Sequence, residues 1–131
     1  MLTAMTKHLE ASFTLDRWEG DPDPGVEGGP DAGHVLLAKT YTGPDLVGSA
    51  TGHALTTRGE RGASYVAQER IVGTLDGRTG SFVLEHGASM GEGFPTSMHA
   101  AVVHGSGTGE LTGLAGTGLV EHGVLILDYE L

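Results

Sequence analysis

The dipeptide Asp76-Gly77 constrains this chain more than any other feature, because the stretch around it, Tyr65 to Ala88, alternates in polarity on both sides as paired strands do. An Asp-Gly pair in that setting predicts a two-residue type I′ turn, with positive φ at both central positions. Leu75 then faces Arg78, and the pairs behind it follow: Gly73 with Gly80, Ile71 with Phe82, Glu69 with Leu84 and Ala67 with His86. One face of this hairpin is apolar except for Glu69 and His86, which are diagonal neighbours within reach of one another. The other face carries Gln68, Arg70, Ser81 and Glu85 and reads as solvated, with Arg70 and Glu85 as a surface ion pair. The turn therefore predicts a carboxylate and an imidazole together on the inward face.

The rest of the chain reads as further strands. Lys7 to Trp18 alternates as one long first strand, with Leu9, Ala11, Phe13 and Leu15 on its apolar side. Glu19 to Gly33 holds Pro22, Pro24 and Pro30 among acids and glycines, a composition expected to form a surface loop over a barrel mouth. His34 to Thr42 is a second strand, Gly43-Pro44-Asp45 a turn, and Leu46 to Thr57 a third strand bent by Gly48 and Gly52. Strands are also expected at Met98 to His104 and His122 to Leu131. No window sustains a helical period, so the chain is all-β with at most one short helical turn near Gly91 to Ser97.

The pattern Gly-x-Leu-x-Gly-x-x-Gly occurs twice, over Gly73–Gly80 and Gly109–Gly116. Two similar hairpins would coil the sheet sharply at two places, as closure of a small barrel requires. The last strand is apolar on both faces, so one side is expected to line the interior and the other to meet the Glu19–Gly33 loop or a second subunit. The C-terminal strand is thus the expected surface of a homo-oligomer.

Composition excludes several functions. At 131 residues the chain is one domain, and without cysteine it has no disulfide and no thiolate nucleophile. Met1 to Phe13 lacks the apolar run of a secretory signal and no segment approaches membrane-spanning length, so the expected compartment is the cytoplasm. A formal charge of −10 repels phosphate backbones and anionic lipid heads, which argues against nucleic-acid and membrane partners. The seven histidines lack a His-x-His or His-Glu-x-x-His spacing, and His99 and His104 would need an acid from a separate strand. The acids Asp21, Asp23, Glu27 and Asp31 lack the order of an EF-hand, and Gly105 to Gly109 lacks the helix and Gly-Lys-Ser/Thr ending of a phosphate loop. No metal and no cofactor is expected.

Gly105-Ser-Gly-Thr-Gly-Glu-Leu-Thr-Gly-Leu-Ala-Gly-Thr-Gly118, followed by a strand ending Leu127-Asp-Tyr-Glu130, resembles the glycine-rich hairpin of allene oxide cyclase-like and dirigent-like barrels. With Glu69-Arg-Ile-Val-Gly-Thr-Leu-Asp-Gly-Arg-Thr-Gly-Ser-Phe-Val-Leu-Glu-His86 and Thr14 to Glu19 around Trp18, the chain is more similar still to the bacterial domain-of-unknown-function 3224 family. The resemblance implies a single eight-stranded antiparallel barrel, lipocalin-like in shape, and brings no family-wide reaction or catalytic set.

Such an interior is either filled by side chains or holds one small ligand. The favoured expectation is a binding barrel that holds an apolar or amphipathic molecule among Tyr65, Ile71, Phe82, Leu84 and Trp18, beside the Glu69/His86 pair. A second is a cofactor-free cyclase or isomerase that folds a flexible substrate in the cavity, with Glu69 and His86 as catalytic acid and base. A third is a filled barrel acting as a structural or assembly module. Each residue also has a plain structural role: Glu69 and His86 as a buried pair that fixes register, Tyr65 and Trp18 as core or rim aromatics. An inward Glu69 requires a cation to offset its lost hydration, and His86 is the nearest candidate.

Overall fold

In the computed structural model, which describes residues 6–131, Asp76 and Gly77 take φ of 46° and 79°. Residues 1–5, the first part of the Met1–Phe13 start, lie outside the described residues. Both turn residues thus occupy the left-handed region that a type I′ turn demands. The strands they join, β4 (Gly62–Leu75) and β5 (Arg78–Gly91), pair in the predicted register, from Leu75 with Arg78 to Ala67 with His86. A β-branched side chain resists positive φ, so Gly77→Val is expected to cost about 1–2 kcal/mol, read as a lowered urea midpoint. An unchanged midpoint would contradict the turn geometry.

The fold is all-β. Upstream lie β1 (Lys7–Pro22), β2 (Asp31–Pro44) and β3 (Leu46–Arg58); downstream lie β6 (Phe94–Val102), the short β7 (Thr108–Gly109), β8 (Ala115–Glu121) and β9 (Val124–Glu130). Among the described residues these nine strands form one antiparallel sheet. Each strand from β1 to β5 pairs with the next, β6 pairs with β8, β8 with β9, and β9 returns to β1. The pairings close into a ring, with β7 attached to β5.

Several expectations need correction. The Glu19–Gly33 segment is not all loop: Glu19 to Pro22 continue β1 and Asp31 to Gly33 begin β2, leaving 23–30 as the connection. Pro22 is tolerated at the strand's last position, where no further ladder bond is needed. The stretch near Gly91 to Ser97 holds no helical turn; Glu92 and Gly93 link β5 directly to β6. The second glycine pattern does not repeat the first, because Gly109 pairs with Gly80 and Gly116 with Tyr129. The strand expected from His122 starts at Val124 instead, because His122 and Gly123, with φ of 51° and 77°, make a second tight turn between β8 and β9. In β9, Leu125, Leu127 and Tyr129 face the core, whereas Val124 and Ile126 are half-buried on the other side.

Glycines set the coil of the sheet. Gly48, Gly73 and Gly80 form a row across β3, β4 and β5, and a Cβ on Gly48 would stand 2.7 Å from the Cα of Gly73. Neighbouring backbones can approach that closely only without side chains. On the hairpin-turn side of the interior, Leu9, Tyr41, Leu46, Ile71, Phe82 and Leu84 belong to one closely packed cluster. A smaller cluster, Val35, Leu37, Ala54 and Ala67 with Tyr65 against it, occupies the other end of β2 and β4. Between the two, in order along β2 and β4, lie Lys39 and Glu69.

The ring is incomplete along part of its height. Strand β9 pairs with β1 only as far as Ser12, and β8 meets β6 only at Ala100 and Ala101. Beyond those points β1 from Phe13 and β6 before Ala100 each have a single strand partner among the described residues.

Candidate functional site

Alternation along β2 turns Val35, Leu37, Lys39 and Tyr41 inward, and the register of β4 and β5 does the same for Glu69 and His86. Burying an unpaired charge is prohibitive, so these polar side chains must answer one another. Glu69, with no exposed surface, sits at the centre. Its Oε2 accepts from Lys39 Nζ at 2.8 Å and from His86 Nε2 at 2.7 Å, while its Oε1 accepts from the Tyr41 hydroxyl. The cation that offsets Glu69 is Lys39, only 4 % exposed, rather than His86 alone. No described buried side-chain polar atom is left without a partner.

Burial pushes the Glu69 carboxyl up, but the His86 hydrogen bond, the Lys39 charge and the bonds from Lys39 and Tyr41 outweigh it and hold the group below the ordinary carboxyl range. Glu69 is a carboxylate saturated with donors, not a free base. Burial, reinforced by that carboxylate, raises the pKa values of the Tyr41 and Tyr65 hydroxyls, so both stay protonated. Because a carboxylate only accepts, His86 Nε2 carries the proton, and in the Nε2–H tautomer Nδ1 offers an acceptor to the Tyr65 hydroxyl 3.0 Å away. A continuous chain of hydrogen bonds therefore links Tyr65, His86 and Glu69.

Above this cluster lies a recess of about 360 Å³, walled by Phe13, Leu15, Trp18, Tyr65 and Val120, with Lys39 and His86 at its polar end. Cross-strand pairing explains the wall: Phe13 stands opposite Tyr41, Leu15 opposite Lys39 and Trp18 opposite Leu37. A register shift between Leu15 and Arg17 leaves Asp16 out of the ladder and brings Trp18 onto the face of Phe13 and Leu15. Trp18 meets Tyr65 edge to face at 6.2 Å, and Lys39 Nζ lies 4.1 Å from the centroid of the Phe13 ring. Trp18 remains 45 % exposed at the rim.

Residues 9–125 match the family described as "Protein of unknown function (DUF3224)". The chain belongs to this DUF3224 family. A solved crystal structure of a DUF3224 protein of unknown function from Shewanella oneidensis MR-1 is similar over 96 % of both chains, at 34 % identity and a TM-score of 0.77. No functionally curated protein matches the chain.

In this DUF3224 chain, the expected site residues separate into two groups. Glu69, His86 and Tyr65 lie together, and Trp18 joins them at the rim. Ile71, Phe82 and Leu84 do not line the recess; they are fully packed in the larger core cluster, so their expected contact with a ligand is withdrawn. Arg70 and Glu85 form no ion pair among the described residues, although the register sets them diagonally as expected. Lys39, Tyr41, Phe13, Leu15 and Val120 were not anticipated at the site. Lys39 was legible in principle as the one charged residue in the inward series Val35, Leu37, Lys39, Tyr41. Val120 had no such signal, because it arrives through the unpredicted turn at His122 and Gly123.

Among the described residues no three His, Asp or Glu side chains gather as metal ligands, and no helix is long and apolar enough to cross a membrane. A broader groove of about 620 Å³ lies on the outer side of the sheet, with His34, His53, Leu55, Val66, Gln68 and His99 in its walls. His86 lines this groove as well, but Lys39 and Tyr65 do not.

Proposed function

We propose that this chain binds one small, largely apolar molecule in the recess, with a polar acceptor of that molecule against Lys39. The architecture this reading assumes is an allene oxide cyclase-like barrel of eight long strands, filled near the Asp76-Gly77 turn and recessed beside β1 beyond Ser12. The observation that carries it is the apolar wall of Phe13, Leu15, Trp18 and Val120 around a single buried ammonium. An ammonium has three N–H groups, and Glu69 takes one of those on Lys39 as a hydrogen bond. Apolar walls with a few placed polar groups are the usual make-up of a small-molecule site, and the volume falls at the lower end of the usual range of about 300–1,000 Å³.

The acceptor is neutral in this reading. Glu69 already balances Lys39, so a ligand carboxylate would set an uncompensated charge beside a buried pair that is already neutralised. A ketone, aldehyde or ester oxygen would not. The bicyclic ketone 2-tetralone is a suitable probe, and Trp18, the single tryptophan, supplies one indole N–H resonance to report on it. Saturable movement of that resonance is expected with 2-tetralone and not with 2-naphthoate at equal concentration. Leu15→Lys, which sets a charge in the apolar wall, is expected to weaken 2-tetralone about tenfold or more. A resonance indifferent to 2-tetralone, or a variant that binds as well as the parent, would contradict the site.

A further inference from the structure

We infer that the recess is a proton-transfer site for neutral carbonyl compounds with an acidic α C–H, and that Tyr65 is the residue that exchanges the proton with the substrate. The inference rests on the binding reading above and goes beyond it from binding to reaction. Three features of the cluster support it.

The first is the division of labour among the acid–base groups. Glu69 is wholly enclosed and has accepted bonds from Lys39, His86 and Tyr41, so it has no access to a substrate. Both nitrogens of His86 are engaged, one on Glu69 and one on Tyr65. The Tyr65 hydroxyl belongs to a half-buried residue of the recess wall, and when it donates to Nδ1 of the Nε2–H tautomer of His86 it keeps lone pairs to accept with. The acid–base group within reach of a bound molecule is therefore the phenol.

The second is the order of the hydrogen bonds, in which a hydroxyl is backed by an imidazole and the imidazole by a buried carboxylate. That arrangement lets a weakly basic oxygen act as a base, because its own proton leaves along an existing bond as a new one arrives. The raised pKa of Tyr65 keeps the phenolate from forming alone, so its proton must pass to His86 in the same step. The third is Lys39, which lines the same recess and whose ammonium has given one hydrogen bond to Glu69. A fixed cation there stabilises the negative charge that develops on a carbonyl oxygen when its α-carbon is deprotonated.

The step balances without any co-reactant. Tyr65 Oη takes the α-proton while the Tyr65 hydroxyl proton moves to His86 Nδ1. The C–H electron pair becomes the C=C of an enolate, and the carbonyl π pair moves to the oxygen held by Lys39. His86 is then an imidazolium whose Nε2–H remains on the Glu69 carboxylate. Reversal returns a proton to the same carbon, which gives exchange with solvent, or to a conjugated carbon further along, which gives a shifted double bond. Tyr65 and His86 finish unchanged.

The test uses the intact protein with 2-tetralone in deuterium oxide, following loss of its α-proton signals by NMR and binding through the Trp18 indole resonance in parallel. The expected result is exchange faster than in matched buffer, reduced at least about 10²-fold by Tyr65→Phe while binding stays within about threefold. His86→Gln is the second variant, expected to lose exchange in the same way, so that a folding defect in one substitution does not decide the outcome. Binding without accelerated exchange, or exchange that survives Tyr65→Phe, overturns the proton-transfer role and leaves the binding site standing. Absence of 2-tetralone binding to the parent protein overturns both.

Discussion

Glu69→Leu is expected to lower folding stability by about 3–5 kcal/mol, the cost of leaving a buried partner charge uncompensated. Lys39 would keep its ammonium in an enclosed layer between two apolar clusters with no carboxylate beside it. Tyr41 and His86 would each lose the acceptor that now satisfies them. Urea unfolding at neutral pH measures the loss. The double variant Glu69→Leu with Lys39→Met is expected to recover much of it, because an apolar pair of similar size carries no uncompensated charge. A single variant as stable as the parent would contradict the placement of Lys39.

The same carboxylate predicts an acid limb. A carboxyl whose folded pKa lies below its unfolded value of about 4.3 binds its proton first in the unfolded chain as the pH falls. Its contribution is complete above the unfolded value and is lost as the pH drops through the folded one. Between neutral pH and that range, the parent protein should lose more stability than the Glu69→Leu, Lys39→Met double variant does. Parallel profiles would mean that Glu69 has an ordinary carboxyl pKa.

The second large effect is expected at Gly52→Ala, at about 3 kcal/mol, near the upper end of the usual cost of overpacking. Gly52 stands directly across from Glu69, and a Cβ there would fall inside van der Waals distance of the Gln68 carbonyl and 2.7 Å from the Glu69 Cα. Both atoms are backbone and cannot rotate away. The strands would have to separate at the residue that holds the polar cluster, so 2-tetralone binding should fall along with stability. Urea unfolding and the Trp18 resonance read the two consequences on one sample, and a variant unaffected in both would contradict the close packing of β3 on β4.

Much of this was legible in the residues because one turn carried it. Asp76-Gly77 admits one hairpin register, and that register alone puts Glu69 and His86 diagonally on a common face. The interior glycines Gly48 and Gly52 were readable as bends for a similar reason, since a strand keeps a residue without a side chain where another backbone comes close. What escaped was whatever depended on partners distant in sequence. Ile71, Phe82 and Leu84 share the face of Glu69, but which part of that face is filled depends on Leu9, Leu111, Leu125 and Leu127 arriving from other strands. Trp18 falls on the wrong side of a strict alternation, and only the shift between Leu15 and Arg17 brings it to the recess. The prolines after Glu19 suggested a loop, yet the ladder runs on to Pro22 because both strands of that hairpin are long enough to carry it.

A crystal structure of the protein grown with 2-tetralone tests the account most directly. The ketone oxygen should lie within hydrogen-bonding distance of Lys39 Nζ, with the rings between Phe13, Leu15 and Trp18 and the α-carbon beside the Tyr65 hydroxyl. Ketone found instead in the outer groove of His34, His53 and His99, or Trp18 closed onto the recess with no ketone inside, would contradict it.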